Sequence, residues 1–549
     1  MKVSEMLVRS LEEYGTARAY GLIGTSILEL MDAMSGSRIR YISTRHEQVA
    51  VSMADAEGRV TGHPGVAMVH GGPGFLNSLV SLSNAHKDGS PLLLVAGAVK
   101  RRLVGMDSWL EVPESEMAKS IVKRAFRIEK GGDAAGVFSE AYSLALSPPA
   151  GPVFVEVPED VWVLDAGNSV VPLKPTVAGV PPEGAVRLTQ AAILKSKRPL
   201  LVVGRGMNKA EGTEALTSLL VKAEIPVVTT GNGRGALPED HPLSLGRIGF
   251  GGGSMVADTA LAEADFVLCL GGGLSDVSTY GFNMTPKGEI FTVDFDRLWD
   301  RKPVAYSQHW MCDAPAFVKE LAKTVAEYKQ GDEWRESIQK NRRAWQAQLE
   351  GQLSREKPGF VNPARFLNEL EKSLPRDVIL AAGQGLHIVY AYCFLRVRSP
   401  ASFLAATNMG SMGFVFAAAL GAKVALPDRE VVAVLGDGEF MMTVQDLETA
   451  AREKIGVRLI VINDNSYRVL LMRQKIQKMG RVFGTLHSNP DMVKLADAFG
   501  LEAMSVASNP QIPDAVRFLL KKTDRPLIVE LKVDPEDLPP INPQGSLMF

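Results

Sequence analysis

The sequence predicts an α/β protein built from three doubly wound domains, each a parallel sheet with helices on both faces. Three observations predict this. Strand-like apolar runs alternate with helical segments almost throughout the chain, which is the pattern of parallel strands joined by helical crossovers. At 549 residues the chain is too long for one hydrophobic core, so several domains are expected. The first and third regions have similar length and a similar α/β pattern, and no short-period repeat runs through them.

The first domain is read as residues 1–165. It opens with an amphipathic helix over 3–14, followed by strand 39–43 and a small-residue helix over 46–60. Strand 65–69 leads through a glycine turn into helix 74–87. Strands 91–97 and 152–157 follow, the latter stopped by Pro158. Residues 163–184 carry several prolines and little periodicity, so they read as a linker. The second domain spans 185–325, with strands in LLVVG, PVVTT, FVLCLGG and IFTVDFD. Residues 326–357 are highly charged without a strong apolar stripe, and read as a solvated helix and connector. The third domain spans 360–535. The tail, 536–549, is Pro-rich and is expected to pack over a surface or an active-site mouth.

Composition narrows the function. The chain is 46% hydrophobic and 22% charged, as in ordinary globular proteins. A net charge of −2 gives no reason to expect nucleic acid or an anionic membrane as partner. Cys269, Cys312 and Cys393 are far apart and have no metal-type spacing, so they read as reduced core residues. The acidic, amphipathic N-terminus is not a secretory signal, and no apolar run reaches membrane-spanning length. A cytoplasmic enzyme fits all of this.

Residues 436–465 are the most informative stretch. Gly436-Asp437-Gly438 follows the apolar run VVAVL, and Asn463-Asp464-Asn465 follows VRLIVI, with a helical segment between. A right-handed crossover between parallel strands brings both turns to one edge of the sheet. Asp437 and Asp464 are then placed to hold one divalent cation. Gly436 and Gly438 let backbone N–H groups approach a phosphate. Mg²⁺ favours oxygen ligands and is often shared between carboxylates and a phosphorylated ligand.

This stretch resembles the thiamine diphosphate enzymes of the acetolactate synthase, benzoylformate decarboxylase and pyruvate oxidase group, in which GDG is followed after roughly 25 to 30 residues by an Asn-rich turn. The resemblance extends over essentially the whole chain. It implies metal ligation by the side chains of Asp437 and Asp464 and the carbonyl of Ser466. Asp464 stands where the family usually has Asn, which keeps an oxygen ligand and adds a charge. Gly383-Gln384 matches a motif near the diphosphate, on whose side Gly436, Gly438, Glu439 and Tyr467 also fall. The Gly410 carbonyl and Met412 N–H would meet the aminopyrimidine, with the Met412 side chain wedging the cofactor's two rings into a bent shape.

By the same resemblance, Glu47, in TRHEQVAV, is the carboxylate that hydrogen-bonds N1′ of the pyrimidine. That role needs a poorly solvated carboxyl group able to share a proton with the ring. The ordinary reading is a helix N-terminal Glu favoured by the macrodipole. His70, in HGGPG, stands where synthases carry Thr and benzoylformate decarboxylase carries His. It is either a proton relay or a histidine bonded to backbone at a strand end. Thr25 and Gly72 fall on the substrate side.

Several positions depart from the synthases. Leu110 replaces a glutamine, Arg473 an aromatic residue, and Arg468 a glycine after the metal turn. Gly273 and Val277 replace two arginines of the central domain. That domain resembles one that in many members holds FAD, and FAD stays open here. The resemblance implies a 2-oxo acid decarboxylase and carboligase using thiamine diphosphate and Mg²⁺, with a carbonyl acceptor. It also implies a homodimer or homotetramer with active sites at the dimer interface. The alternatives are a flavin-linked 2-oxo acid oxidase, a 2-hydroxyacyl-CoA lyase-type enzyme and a non-catalytic relative.

Overall fold

A computed structural model describes residues 1–175, 179–295 and 301–540. Three six-stranded sheets, parallel throughout, account for all its named strands. The first contains β1 (Arg18–Leu22), β2 (Arg40–Ser43), β3 (Gly65–Val69), β4 (Leu92–Ala98), β5 (Ala125–Arg127) and β6 (Pro152–Pro158). The second contains β7 (Pro199–Val203), β8 (Val227–Thr229), β9 (Ser244–Arg247), β10 (Phe266–Leu270), β11 (Glu289–Val293) and β12 (Gln308–Trp310). The third contains β13 (Ile379–Ala382), β14 (Phe403–Leu404), β15 (Val431–Gly436), β16 (Arg458–Asn463), β17 (Glu502–Val506) and β18 (Leu527–Lys532).

The first and third sheets share one topology, β2-β1-β3-β4-β6-β5 and β14-β13-β15-β16-β18-β17, while the second runs β12-β11-β10-β7-β8-β9. In each, the chain reverses its direction of travel across the sheet beside the first strand. The loops leaving the carboxyl ends there open into a crevice, where open α/β sheets bind ligands. In the first sheet those loops follow β1 and β3, and in the third they follow β13 and β15.

β1 escaped the sequence reading. Its five residues RAYGL carry an arginine and a glycine, yet it pairs with both β2 and β3. Gly21 is required there, because a Cβ would collide with the Met68 carbonyl of β3. The segment between Asp437 and Asp464 is not one helix. It is broken into helix Asp437–Phe440, a 3₁₀ turn Val444–Asp446 and helix Leu447–Arg452. The charged connector holds a long helix, Asp332–Leu353, with a thin apolar stripe the sequence reading passed over. Trp334 and Ile338 enter the core of the second sheet, and Leu349 and Leu353 pack on the third. Of the tail, Asp537 accepts from Tyr390 Oη at 2.8 Å, and 541–549 lie outside the described residues.

The first and third sheets meet through helix Phe414–Ala425 packed on helix Glu47–Thr61, which share one apolar core. Gly421 is needed at the crossing, since a Cβ would strike the Met53 carbonyl. Partly buried Arg59 donates to Asp55 at 2.7 Å, to Asp88 at 3.0 Å and to the Ala405 carbonyl at 2.9 Å. Asn232 and Asn408 both donate to Asp88 Oδ1, so one carboxylate ties all three sheets' surroundings together.

Candidate active site

Two clusters form, one at each reversal crevice of the first and third sheets. In the third, β15 delivers Asp437 and β16 delivers the Asn463–Ser466 turn. Asp437 is buried, and its Oδ2 accepts from Asn465 N–H at 2.9 Å, Asn489 Nδ2 at 2.6 Å and His487 Nε2 at 3.1 Å. Its Oδ1 accepts no hydrogen bond among the described residues. Asn465 has φ 54°, a left-handed conformation that asparagine tolerates, and this turns its N–H onto the carboxylate. Burial holds the Asp437 carboxyl above its usual range, and the charge of Asp464 adds to this. A divalent cation would relieve both effects. Two carboxylates and backbone carbonyls are the oxygen donors such an ion prefers, so the residues present fit Mg²⁺. Three or more His, Cys, Asp or Glu side chains do not converge on one point among the described residues.

Asp464 has partners of its own. Its Oδ1 accepts from Ser466 Oγ at 2.6 Å, and its Oδ2 lies 3.1 Å from Arg468 Nε, with both side chains buried. The two departures from the usual turn therefore form an ion pair: the added acid is matched by the added base. Tyr467 lies against Gly438, where a Cβ would come within 2.7 Å of the ring, and its ring meets that of His487 at 4.9 Å between centroids. His487 and Asn489 were not found from the sequence. They come from a segment that folds back onto the turn through the bridge of Ser466 to Leu486, a pairing that leaves no periodicity to read.

Across the crevice lies the loop after β13. Gln384 N–H donates to Glu439 Oε2 at 2.9 Å, and Gln384 Nε2 donates to the Ala406 carbonyl at 3.1 Å. Gly410, at φ 71°, and half-buried Met412 precede helix Phe414–Ala425.

The first sheet's crevice holds the other cluster. Glu47 starts helix Glu47–Thr61 and is 7% exposed. Its Oε2 accepts from Asn77 Nδ2 at 2.9 Å, and Gly74 leaves room for Oε1, which a Cβ there would approach to 3.2 Å. His70 follows β3 and meets the turn after β1. Ser26 N–H points to Nδ1 at 3.4 Å, and Ser26 Oγ sits 2.9 Å from it while accepting from Gly71 N–H at 2.9 Å. Nδ1 is therefore the acceptor, and the neutral ring carries its proton on Nε2, which bonds nothing among the described residues. Burial lowers the His70 pKa below the ordinary value, favouring this neutral form. The sequence points to Thr25, which is exposed. Its neighbour Ser26 is the residue that holds His70, a contact that only the topology reveals.

Gly72 and Leu110 are brought together. Gly72 has φ 60° and a Cβ there would collide with the Leu110 carbonyl, while Leu110 itself sits at φ 72°. Arg473 is exposed on helix Arg468–Gln477, beside the other cluster. The two clusters share no hydrogen bond or ion pair among the described residues.

Glu114 lies behind the Gly71–Gly72 turn. It is buried and its Oε1 accepts from Gly72 N–H at 2.8 Å. Burial, with neighbouring Glu156, pushes its carboxyl up to about 8. A carboxyl whose folded pKa is raised favours the fold while protonated, so this contribution is present below about 4.5 and is lost as pH rises toward about 8. Glu114→Gln, which keeps the shape and removes the charge, is expected to raise the unfolding midpoint more at pH 8 than at pH 5. Thermal unfolding at the two pH values checks this, and an equal change at both would count against it.

Comparison with known proteins agrees with this frame. Residues 1–120 match the thiamine pyrophosphate enzyme N-terminal TPP binding domain, 186–321 the central domain and 383–531 the C-terminal TPP binding domain. The probable acetolactate synthase large subunit of Methanocaldococcus jannaschii is 31% identical, covering 100% of this chain and 94% of its own. The acetolactate synthase of Mycobacterium bovis is 31% identical over 96% of this chain and 88% of its own. The isozyme 2 large subunit from Escherichia coli is 27% identical over 100% and 98%. Paired crevices of one topology, full-length similarity and three matched domains define an enzyme that makes and breaks carbon–carbon bonds with thiamine diphosphate. The chain belongs to the thiamine pyrophosphate enzyme family, in its acetolactate synthase group. No helix among the described residues is long and apolar enough to cross a membrane.

Proposed function

We propose that the protein is a thiamine diphosphate- and Mg²⁺-dependent 2-oxo acid decarboxylase and carboligase that acts in the cytoplasm as a homodimer or homotetramer. The observation that carries the reading is the third-sheet crevice, where Asp437 presents an unbonded carboxylate oxygen beside the Asp464 turn and opposite a glycine-walled loop. Asp437, Asp464 and the Ser466 carbonyl would hold the metal. Gln384, Gly436, Gly438 and Tyr467 would face the phosphate end of the cofactor, and Gly410 and Met412 its pyrimidine. When bound, thiamine diphosphate supplies a carbon nucleophile and a sink for the electrons left by CO₂.

The chain's own groups supply geometry and proton handling. Glu47, poorly solvated and held by Asn77, shares a proton with the pyrimidine. His70, fixed by Ser26, offers Nε2–H toward a substrate oxygen. The domains 1–165, 185–325 and 360–535 would serve as pyrimidine-binding, central and diphosphate-binding units. Because the two clusters share no hydrogen bond or ion pair among the described residues, a second copy joining Glu47 of one protomer to the metal turn of its partner is the arrangement proposed. Large apolar side chains lie exposed beside both, including Trp109, Met479 and Phe483. No step requires FAD.

Proton NMR of the enzyme with thiamine diphosphate, Mg²⁺ and a panel of 2-oxo acids headed by pyruvate tests the reading. A 2-hydroxy ketone or acetolactate-type acid is expected, and no consumption of any 2-oxo acid would refute it. Leu110, whose backbone carbonyl lies against Gly72, stands where synthases carry glutamine and would face the substrate side. Leu110→Gln is expected to shift the kcat/KM ratio between two 2-oxo acids by about tenfold, read by competition between them. An unchanged ratio would remove Leu110 from the substrate pocket.

A further inference from the structure

We infer that Glu439 occupies the anion seat meant for the cofactor's phosphate end, so that this chain binds thiamine diphosphate only by displacing its own carboxylate. The inference rests on the thiamine diphosphate reading above. The seat lies at the reversal crevice between β13 and β15, and its walls are glycines. A Cβ at Gly383 would collide with Glu439 Oε2 and come within 2.7 Å of His387 Nε2. A Cβ at Gly385 would lie 2.6 Å, and one at Gly436 2.8 Å, from His387 Cε1. Three glycines thus clear a space that two side chains of the same chain fill.

Both side chains are buried and incompletely satisfied. Glu439 is 1% exposed and its Oε1 has no hydrogen-bond partner among the described residues, nor has His387 Nε2, 3.4 Å from Oε2. Orphaned buried polar atoms are rare and carry a desolvation penalty. A ligand with several acceptor oxygens would take a hydrogen bond from His387 Nε2, whereas the Glu439 oxygens, acceptors themselves, would have to leave its path. Among the described residues the Glu439 carboxylate accepts a hydrogen bond from Gln384 N–H, at 2.9 Å. A backbone N–H on a glycine-walled loop is what a phosphate oxygen would take, and the carboxylate holds it with the same chemistry. A diphosphate arriving beside Glu439, Asp437 and Asp464 would add like charge to a low-dielectric site. Release of Glu439 frees Gln384 N–H and leaves His387 to face the incoming phosphate oxygens.

Calorimetric titration of thiamine diphosphate with Mg²⁺ into the full-length wild type, Glu439→Gln, Glu439→Ser and Asp437→Ala tests this without turnover. Glu439→Gln and Glu439→Ser are expected to lower Kd by about tenfold or more, and to tighten inorganic pyrophosphate in the same direction. Asp437→Ala is expected to lose the Mg²⁺-dependent part. Wild-type binding that either variant leaves equal or weakens would overturn the inference while leaving the cofactor reading intact. Absence of binding by wild type and variants alike would overturn both. Unfolding midpoints of the two Glu439 variants establish that each is folded when titrated.

Discussion

Glu47→Gln is expected to lower turnover about a hundred- to ten-thousand-fold while leaving thiamine diphosphate affinity and the unfolding midpoint close to wild type. The substitution keeps the shape of the side chain. Its amide oxygen still accepts from Asn77 Nδ2, and Gly74 still leaves it room. What it removes is the ability to share a proton with a ring nitrogen. A carboxylate that served only the helix macrodipole would behave in the opposite way, with about 0.3–1 kcal/mol of stability lost and no catalytic effect. Steady-state kinetics with calorimetric titration of the same preparation separates the two. Nearby Tyr41 fits the buried setting, since burial first and the Glu47 charge second push its hydroxyl pKa upward.

The second large effect concerns stability. Arg468→Gly restores the residue common after the metal turn, yet it is expected to destabilise the protein by about 3–5 kcal/mol, because it strands a buried carboxylate. The pair lies 3.1 Å apart with side chains 3% and 6% exposed. Asp464→Asn alone strands the guanidinium instead, against the face of Tyr390 and the Asp534 carbonyl. The double variant removes both charges and is expected to recover most of the loss. Denaturant unfolding of the four proteins measures the coupling. Additive single effects would show that Arg468 and Asp464 act independently.

Much of the frame was legible because it is written in local pattern. Alternating apolar runs announced parallel sheets. Asp437 and Asp464 stood out because each follows an apolar strand directly, where a carboxylate is rare unless it binds something. The helix of the 326–357 connector was legible, but its thin stripe was passed over: Trp334, Ile338, Leu349 and Leu353 are diluted by charged neighbours. β1 was missed because the sheet, not its own propensity, holds it in place, and Gly21 is there for a neighbour distant in sequence. Ser26, His487 and Asn489 were missed for a related reason. They reach the site through crossovers and fold-back, and a single short polar residue carries no mark of the partner it will meet. Asp464 and Arg468 were each read as a departure, while their pairing is a fact of three dimensions.

The most direct test of the catalytic role of Glu47 needs no knowledge of the substrate. It is the rate of hydrogen–deuterium exchange at the thiazolium C2 position of bound thiamine diphosphate with Mg²⁺, measured by NMR after acid quench, in wild type and Glu47→Gln. Exchange well above that of free cofactor is predicted in the wild type, with a return toward the free rate in the variant. Exchange at the free rate in wild-type protein with cofactor bound, or fast exchange that survives loss of the Glu47 carboxyl, would contradict that role.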